Sequence, residues 1–328
     1  MLFMIKTVSN TTPVRHAIAT GIKTSLSPFS LRENEQSVPV IVKRRNEKFT
    51  TPAEAEFLIS VGKITEEEIK ILEIINRFTI ITINQLHTAL SLNGVNIDRT
   101  KLIISIKKLI KYRFAQAVRF ENGQNTPSGY IIALENNGVS FLKARHSDDD
   151  GVHVRFVSYF KSIEVSKLKK NLSANQLVIN LFEKNGVELP DLCRSPFLTD
   201  LQRIDRKNVV RPEFSFTFDG NSCLVECVKR NEMWETKLAD KLGYYFEILS
   251  LPEDRLSIKT KNPVLILIAE DEHHCEEVLR IAAEAKYKNI VATCDPFTYN
   301  LTPDNAFFKP EETKKNLFSK LKSLLKSR

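Results

Sequence analysis

The sequence predicts an α+β / α/β protein of two domains, a helical domain closed by a hairpin and then a mixed sheet with helices on its faces. Three observations carry this. From Thr65 to Leu134 the apolar residues recur at helical spacing three times and then switch to two strand-like runs. From about residue 158 to 293 the order is helix, hairpin, helix, strand, helix, strand. Between the two lies Arg145 to Val152, RHSDDDGV, a polar and acidic break. A chain of 328 residues is long enough for two cores, and 42% hydrophobic with 27% charged residues is an ordinary globular balance.

The net charge of +8 favours a polyanionic partner, either nucleic acid or a membrane surface. Five cysteines, Cys193, Cys223, Cys227, Cys275 and Cys294, form no CxxC pair, and their strand-like surroundings suggest reduced, buried thiols in a cytoplasmic protein. His273-His274-Cys275 is the nearest approach to a zinc cluster. Adjacent helical positions point about 100° apart, so the three are not expected to share one ion. No run approaches the ~18 apolar residues that a spanning helix needs, and the opening MLFMIK is too short for a secretory signal. Membrane insertion and export are therefore not expected.

Residues 1–50 read as an arm rich in Ser, Thr, Asn and Pro, with one strand-like patch at Val38 to Val42 and Lys43-Arg44-Arg45 behind it. Basic arms can lie along DNA, although a short charge run also fits plain solvation. The first domain spans 51–144. Thr51-Pro52 opens a short helix. Thr65 with Glu68 forms a capping box for a second, whose stripe is Ile69, Leu72, Ile74 and Ile75. Thr82 with Gln85 caps a third helix that stops at Asn93-Gly94, and Asp98 opens a fourth.

On that last helix Leu102, Ile103, Ile106, Leu109 and Ile110 share one face, and Lys101, Ser105, Lys107, Lys108, Lys111 and Tyr112 lie around the other. Two strand-like runs follow, Ala115 to Phe120 and Tyr130 to Leu134, with the polar loop ENGQNTPSG between them. Three helices from Thr65 and then a hairpin make the order of a winged helix-turn-helix domain, whose third helix enters the major groove while the wing touches the backbone. In that reading Lys101, Lys107, Lys108 and Lys111 contact phosphates, Arg99, Ser105 or Tyr112 lie near base edges, and Arg119 is a further phosphate contact. The plain alternative is the solvated face of an amphipathic helix. Glu135 to Lys143 adds one more helix, with Phe141 and Leu142 packing back.

After a linker at 145–157, the second domain spans 158–308. It starts with helix from Ser158 to Lys184, with Asn171 to Ser173 a possible interruption, and Glu183 available as a further carboxylate. Two alternating runs, Glu213 to Phe218 and Cys223 to Val228, flank Asp219-Gly220, a strong hairpin signal. A two-residue loop sets Glu213 opposite Glu226, and a four-residue loop makes them diagonal neighbours on the same face. Phe214, Phe216, Phe218, Val225 and Cys227 form the core-facing set. Like charges side by side destabilise a hairpin, so something must compensate them. A divalent metal, a basic partner (Lys229, Arg230, Lys237 or Lys241) or solvent would serve. Residues 309–328 close the chain as an amphipathic helix with the stripe Leu317, Phe318, Leu321, Leu324 and Leu325. It is expected to dock on its own domain; contact with DNA, pairing of protomers into a homodimer and a membrane surface are the other options.

Pro212-Glu213, the hairpin gap, Glu226, Lys229 and the following helix resemble the PD-(D/E)XK nuclease-like core. Together with the helices before them they resemble the plasmid replication-relaxation family, a winged helix followed by a nuclease-like domain, over roughly Ile64 to Thr293. Its K-x-x-Y helix pattern would fall on Lys241 to Tyr244. The resemblance implies Glu213 and Glu226 as ligands of Mg, with Lys229 or Lys241 stabilising charge. In the nuclease pattern the lysine follows the glutamate by two residues, whereas Lys229 follows Glu226 by three, which in a regular strand turns it to the Phe side. A bulge at that point, or Lys237 or Lys241 from the helix, would restore the set.

The expected function is thus binding of double-stranded DNA at a replication or transfer origin of a plasmid, phage or integrative element. The second domain would organise DNA or recruit a replication initiator or relaxase without cutting, and no cofactor is then needed. One alternative is a Mg-dependent endonuclease using Glu213, Glu226 and Lys229 or Lys241. Another is an assembly protein that touches only other proteins.

Overall fold

The computed structural model describes residues 36–39, 52–121, 130–146, 154, 163–185, 192–202, 209–218, 220–257, 260, 262–299 and 307–310. These contain mixed α+β structure in two compact units, and the division along the chain falls within one long helix, with Asn175 in the N-terminal and Gln176 in the C-terminal unit.

The N-terminal unit carries β1 (Gln36–Pro39), α1 (Pro52–Ser60), α2 (Glu66–Phe78), β2 (Ile80–Thr82), α3 (Ile83–Leu92), α4 (Arg99–Lys111), β3 (Ala115–Glu121), β4 (Ile131–Leu134) and α5 (Asn136–Arg145). Its helices start where side chains satisfy orphan amide groups. Thr65 and Glu68 form a capping box at α2, and Thr82 and Gln85 form another at α3. Asp98 accepts from the N–H groups of Thr100 and Lys101 at α4. The chain leaves α3 through Gly94 at φ +72, a left-handed backbone that glycine adopts without strain.

The four strands form one antiparallel sheet in the order β1-β3-β4-β2, with Ala115 opposite Leu134 and Ile80 opposite Ala133. Ile69, Leu72, Ile75 and Phe78 from α2 are buried with Leu86 and Leu90 from α3, Leu102, Ile106 and Leu109 from α4, and Ile132 from β4. Leu142 is buried as well, and the Phe141 ring meets Phe114 edge-on at 6.3 Å, so α5 packs back on the hairpin as expected.

Two expectations change here. Gln36–Pro39 is not part of an arm but the outer strand of this sheet, paired with β3 from Gln36 opposite Glu121 to Pro39 opposite Val118. β2 is a strand that helical spacing alone hides, because its three residues abut the cap of α3. The rest of the arm, the loop 122–129 expected as a wing, and most of the 145–157 linker lie outside the described residues.

The shared helix is α6 (Val165–Asn185). It is continuous through Asn171 to Ser173, the possible interruption; Leu172 and Ser173 are buried there, so packing holds the helix together. The C-terminal unit continues with β5 (Cys193–Arg194), β6 (Phe214–Phe218), β7 (Asn221–Cys227), α7 (Trp234–Leu249), β8 (Val264–Ala269), α8 (Glu272–Glu284), β9 (Ile290–Cys294) and α9 (Asp295–Tyr299). The sheet order is β5-β6-β7-β8-β9. Its first three strands are antiparallel and its last three parallel. Helices α7 and α8 are the crossovers that parallel neighbours require.

Phe218 pairs with Asn221, so the hairpin has a two-residue loop, with Gly220 at φ +74. One face of the sheet buries Phe214, Phe216, Val225 and Cys227, and Phe182 of α6 sets its ring edge-on to Phe216 and Phe218 at 5.8 and 5.3 Å. The other face buries Leu224, Val228, Leu265 and Leu267 under Leu238, Leu242, Tyr245 and Ile248 of α7 and Val278 and Ala282 of α8. Both faces are therefore covered. Cys193 is exposed, against the expectation that all five thiols are buried; the other four are buried. Lys309 and Pro310 are not helical, and Phe308 bridges to Ala292 instead, while 311–328, expected as the terminal helix, lie outside the described residues.

Close packing at the start of α5 gives one test of the N-terminal core. A Cβ on Gly138 would stand 2.2 Å from the Phe114 carbonyl oxygen, a backbone atom that cannot swing away. Gly138→Ala is expected to destabilise the protein by roughly 1–3 kcal/mol in urea unfolding, although alanine is the better helix former.

Candidate functional site

Among the described residues, each unit has a charged cluster that includes predicted site residues. In the N-terminal unit, Lys63, Lys107, Lys108, Lys111, Gly62 and Tyr112 line an open depression of about 510 Å³. Lys107 and Lys111 are exposed, and neither pairs with a carboxylate among the described residues; the Lys111 ammonium lies 5.8 Å from the Tyr112 ring centroid. The remaining α4 lysines are engaged with the acidic first turn of α2. Lys108 reaches Glu68 at 2.8 Å, and Lys101 reaches Glu67 at 2.6 Å. The hydrogen bond to Glu67, with the charges nearby, raises the Lys101 pKa. Glu68 is buried and also accepts from Thr65, so Lys108 closes a polar network that ties α4 to α2.

The other candidates on this unit fall differently. Ser105 is buried against the expected outward position, because the core-facing arc of α4 is wide enough to include it. Arg99 is exposed at the helix start, Tyr112 is half-buried at its end, and Arg119 is half-buried in β3. Sequence reasoning missed Lys63, which lies well before α4 in the chain and joins the cluster only through the fold.

In the C-terminal unit, the hairpin brings Glu213 and Glu226 together. Regular pairing runs to Phe214 opposite Val225. The Glu213 N–H then turns to the Val225 carbonyl at 2.8 Å, and its carboxylate accepts from the Cys227 N–H at 2.9 Å. Glu226 is buried, not solvated at a sheet margin. Its Oε2 accepts from Lys241 at 2.6 Å and from the Tyr245 hydroxyl at 3.2 Å. Burial works to lower the Lys241 pKa, but the charges of Glu226 and Glu213, with the hydrogen bond to Glu226 and the Cys227 charge, together raise it. The Tyr245 phenol is pushed well up by burial and by the same carboxylates.

Lys241 is therefore the compensating cation. Lys229 is turned away as strand alternation predicts, fully buried against Asp295 at 2.7 Å. Burial is the largest influence and tends to lower its pKa, but the Asp295 charge and hydrogen bond together with the charges of Cys227 and Glu270 raise it overall. Arg230 pairs with Asp271 at 2.6 Å and Glu277 at 3.1 Å, and Lys237 donates to the Glu232 carbonyl. Tyr244, which fitted the K-x-x-Y pattern, is exposed; the tyrosine that reaches Glu226 is Tyr245. Tyr245 sits on the buried stripe with Leu238, Leu242 and Ile248, the signal that would have found it. Asp295 had no local signal. Glu183 is exposed near the end of α6.

His273, His274 and Cys275 diverge, with His273 exposed and the other two buried. The His274 Nδ1 accepts from the Glu270 N–H at 3.2 Å, which leaves the proton on Nε2, and burial followed by the Arg230 charge lowers its pKa to about 3. No group of three or more His, Cys, Asp or Glu able to hold a metal occurs among the described residues. Glu213 and Glu226 supply the oxygen type that Mg takes. Both Oε2 atoms are already accepting hydrogen bonds, and Lys241 stands on one of them, so an ion entering here displaces that contact.

Compared with protein-family models, with curated proteins and with solved structures, the chain gives no significant match.

The buried Lys229–Asp295 pair gives a second prediction. Lys229→Met removes the cation that faces the buried Asp295 carboxylate and is expected to cost about 3–5 kcal/mol in urea unfolding, whereas Lys229→Met with Asp295→Leu recovers most of that stability. Equal destabilisation in the single and double variants would mean that the methylene packing, not the charge pair, is what matters.

Proposed function

We propose that the protein binds double-stranded DNA through the exposed face of α4 and the lysines beside it. In this reading it acts at a replication or transfer origin of a mobile genetic element, and the C-terminal unit is a nuclease-like scaffold that does not cut. The observation that carries it is the cluster of Lys63, Lys107, Lys108 and Lys111 on one open surface. Support comes from the element order: α2, α3 and α4 followed by the β3–β4 hairpin is the succession of a winged helix, in which the last helix is offered to the major groove. The C-terminal succession α6, β5, β6, β7, α7, β8 fits the nuclease-like core and, with the first unit, the pattern of the replication-relaxation family. Cutting is disfavoured because Lys241 and Tyr245 already occupy Glu226, while Lys229 is sequestered by Asp295. A replication initiator or relaxase is the protein partner this reading expects.

A duplex gel shift repeated over a range of salt concentrations tests the proposal. Affinity is expected to fall steeply with salt, and the Lys107→Ala/Lys111→Ala double variant should flatten the log–log slope by about 2, close to 0.9 for each phosphate that is no longer neutralised. A slope near zero in the parent protein would leave the surface without a polyanionic partner and favour the assembly reading.

A second reading is favoured by one observation: Glu213, Glu226 and Lys241 meet in one place, two carboxylates and a cation at the end of a strand pair. That is the donor set of a Mg-dependent endonuclease, in which the ion would polarise the phosphate and the lysine stabilise charge. Supercoiled plasmid incubated with Mg or Mn is expected to stay intact. Nicking that disappears in Glu226→Gln would establish the enzyme, and nicking that persists would point to a contaminant.

A further inference from the structure

The outer face of α4 is not uniformly basic. Ile104 stands in its middle with 62% of its surface exposed, although the other isoleucines and leucines of the helix turn inward to differing degrees. At about 100° per residue, Thr100, Lys101, Lys107, Lys108 and Lys111 all fall within about 60° of Ile104, on both sides. The arc is therefore one branched apolar side chain with the Thr100 hydroxyl and Lys107 and Lys111, which pair with no carboxylate among the described residues, on one side, and with Lys101 and Lys108, holding Glu67 and Glu68, on the other. Arg99 falls about 140° away from the same centre, off the face, and Ser105 is buried.

A scattered exposed isoleucine needs no explanation on a protein surface. This one has a specific setting. Lysines around it neutralise phosphates and fix the helix against a duplex without reading sequence. What lies at the centre of such an arc then faces the groove floor, where the one apolar feature of a base pair is the thymine 5-methyl group. An isoleucine cannot read hydrogen-bond donors or acceptors, so its discrimination must come through that methyl. A contiguous apolar patch would suit a protein partner better; on the outer face of this helix Ile104 is the one exposed large apolar residue, with the exposed Lys107 and Lys111 beside it.

We infer that Ile104 is a specificity-determining residue that packs on a thymine methyl in the major groove of a duplex, with Thr100 beside it. The inference rests on the DNA-binding reading above and goes further by naming what the helix reads. Cations supply affinity and Ile104 supplies preference, so the two contributions separate experimentally.

Full-length protein is used to select bound sequences from a random duplex library. In the enriched site each thymine is then replaced in turn by uracil, which removes only the 5-methyl. Parent protein is expected to lose about fourfold in affinity at one or two thymines, the value of one buried methyl. Ile104→Ala should bind the thymine and uracil duplexes equally, with helix content intact because alanine suits an exposed helical position. Lys107→Ala should weaken both duplexes alike and preserve their ratio. Salt-dependent binding with no enriched sequence, or with a thymine-to-uracil ratio of one at every position, overturns the role of Ile104 and leaves DNA binding standing. A ratio unchanged by Ile104→Ala also overturns it, as the methyl is then read by another residue. Failure to bind any duplex, with or without binding to vesicles of anionic phospholipid, overturns both readings together.

Discussion

Two carboxylates brought together at the end of a hairpin need a cation, and the C-terminal unit is built around supplying one. The two-residue turn sets the register that brings Glu213 beside Glu226, and coverage of both sheet faces keeps Glu226 out of water. A buried anion without a partner is among the more costly features a fold can carry. Lys241 meets the demand because α7 must pack on that face to bury Leu224 and Val228. Once Leu238, Leu242, Tyr245 and Ile248 face the sheet, Lys241 lies on the edge of the same stripe, with its ammonium reaching Glu226 and its side chain partly exposed. Packing and charge thus specify the same helix orientation, and Tyr245 contributes a neutral donor to the same oxygen.

The lysine that sequence inspection places nearest, Lys229, answers a different need. Alternation along the strand turns it to the α6 side, where Asp295 at the start of α9 closes an ion pair between the ends of β7 and β9. A pair so deeply buried is weak evidence for net stability, because desolvation of both charges opposes their attraction. The pair does depend on register: slipping β7 by one residue would turn Lys229 to the opposite face and separate it from Asp295. The N-terminal unit shows the same logic at its surface. The acidic first turn of α2 favours its own helix dipole, and it also holds Lys101 and Lys108 of α4 in place.

What could be read from the sequence follows how local each signal is. Capping residues at Thr65, Thr82 and Asp98 name the starts of α2, α3 and α4 because the amide groups they satisfy lie within three residues. The β6–β7 hairpin and the shared face of Glu213 and Glu226 were readable for the same reason, whereas the choice between a two-residue and a four-residue loop was settled only by the pairing of Phe218 with Asn221. β1 was not readable as a sheet strand, because its partner lies at Phe120 and its neighbours, far along the chain, and nothing at Gln36–Pro39 encodes that pairing. Asp295 and Lys63 fail for the same reason. Tyr245 is a different case: a short motif pointed to Tyr244, while the apolar stripe of α7 already singled out the next residue. Ser105 shows the converse, a small polar side chain that helical spacing puts at the border and that burial decides.

The two readings of function differ in what they ask of charge. Cutting asks buried groups to be available, and in the C-terminal unit Glu226 and Lys229 are each bound to a partner supplied by the fold. Binding a polyanion asks for cations whose internal attachments are weak or absent. Lys107 and Lys111 meet that condition, and the exposed Lys101–Glu67 contact is of the kind worth little in water, so a phosphate can replace it at small cost. Lys108 is held more firmly by buried Glu68, which makes it a fixed point that orients α4. In the DNA-binding reading proposed above, the anchored Lys108 would fix the position of the helix and the flexible side chains of Lys63, Lys107 and Lys111 would complete the contacts to phosphates.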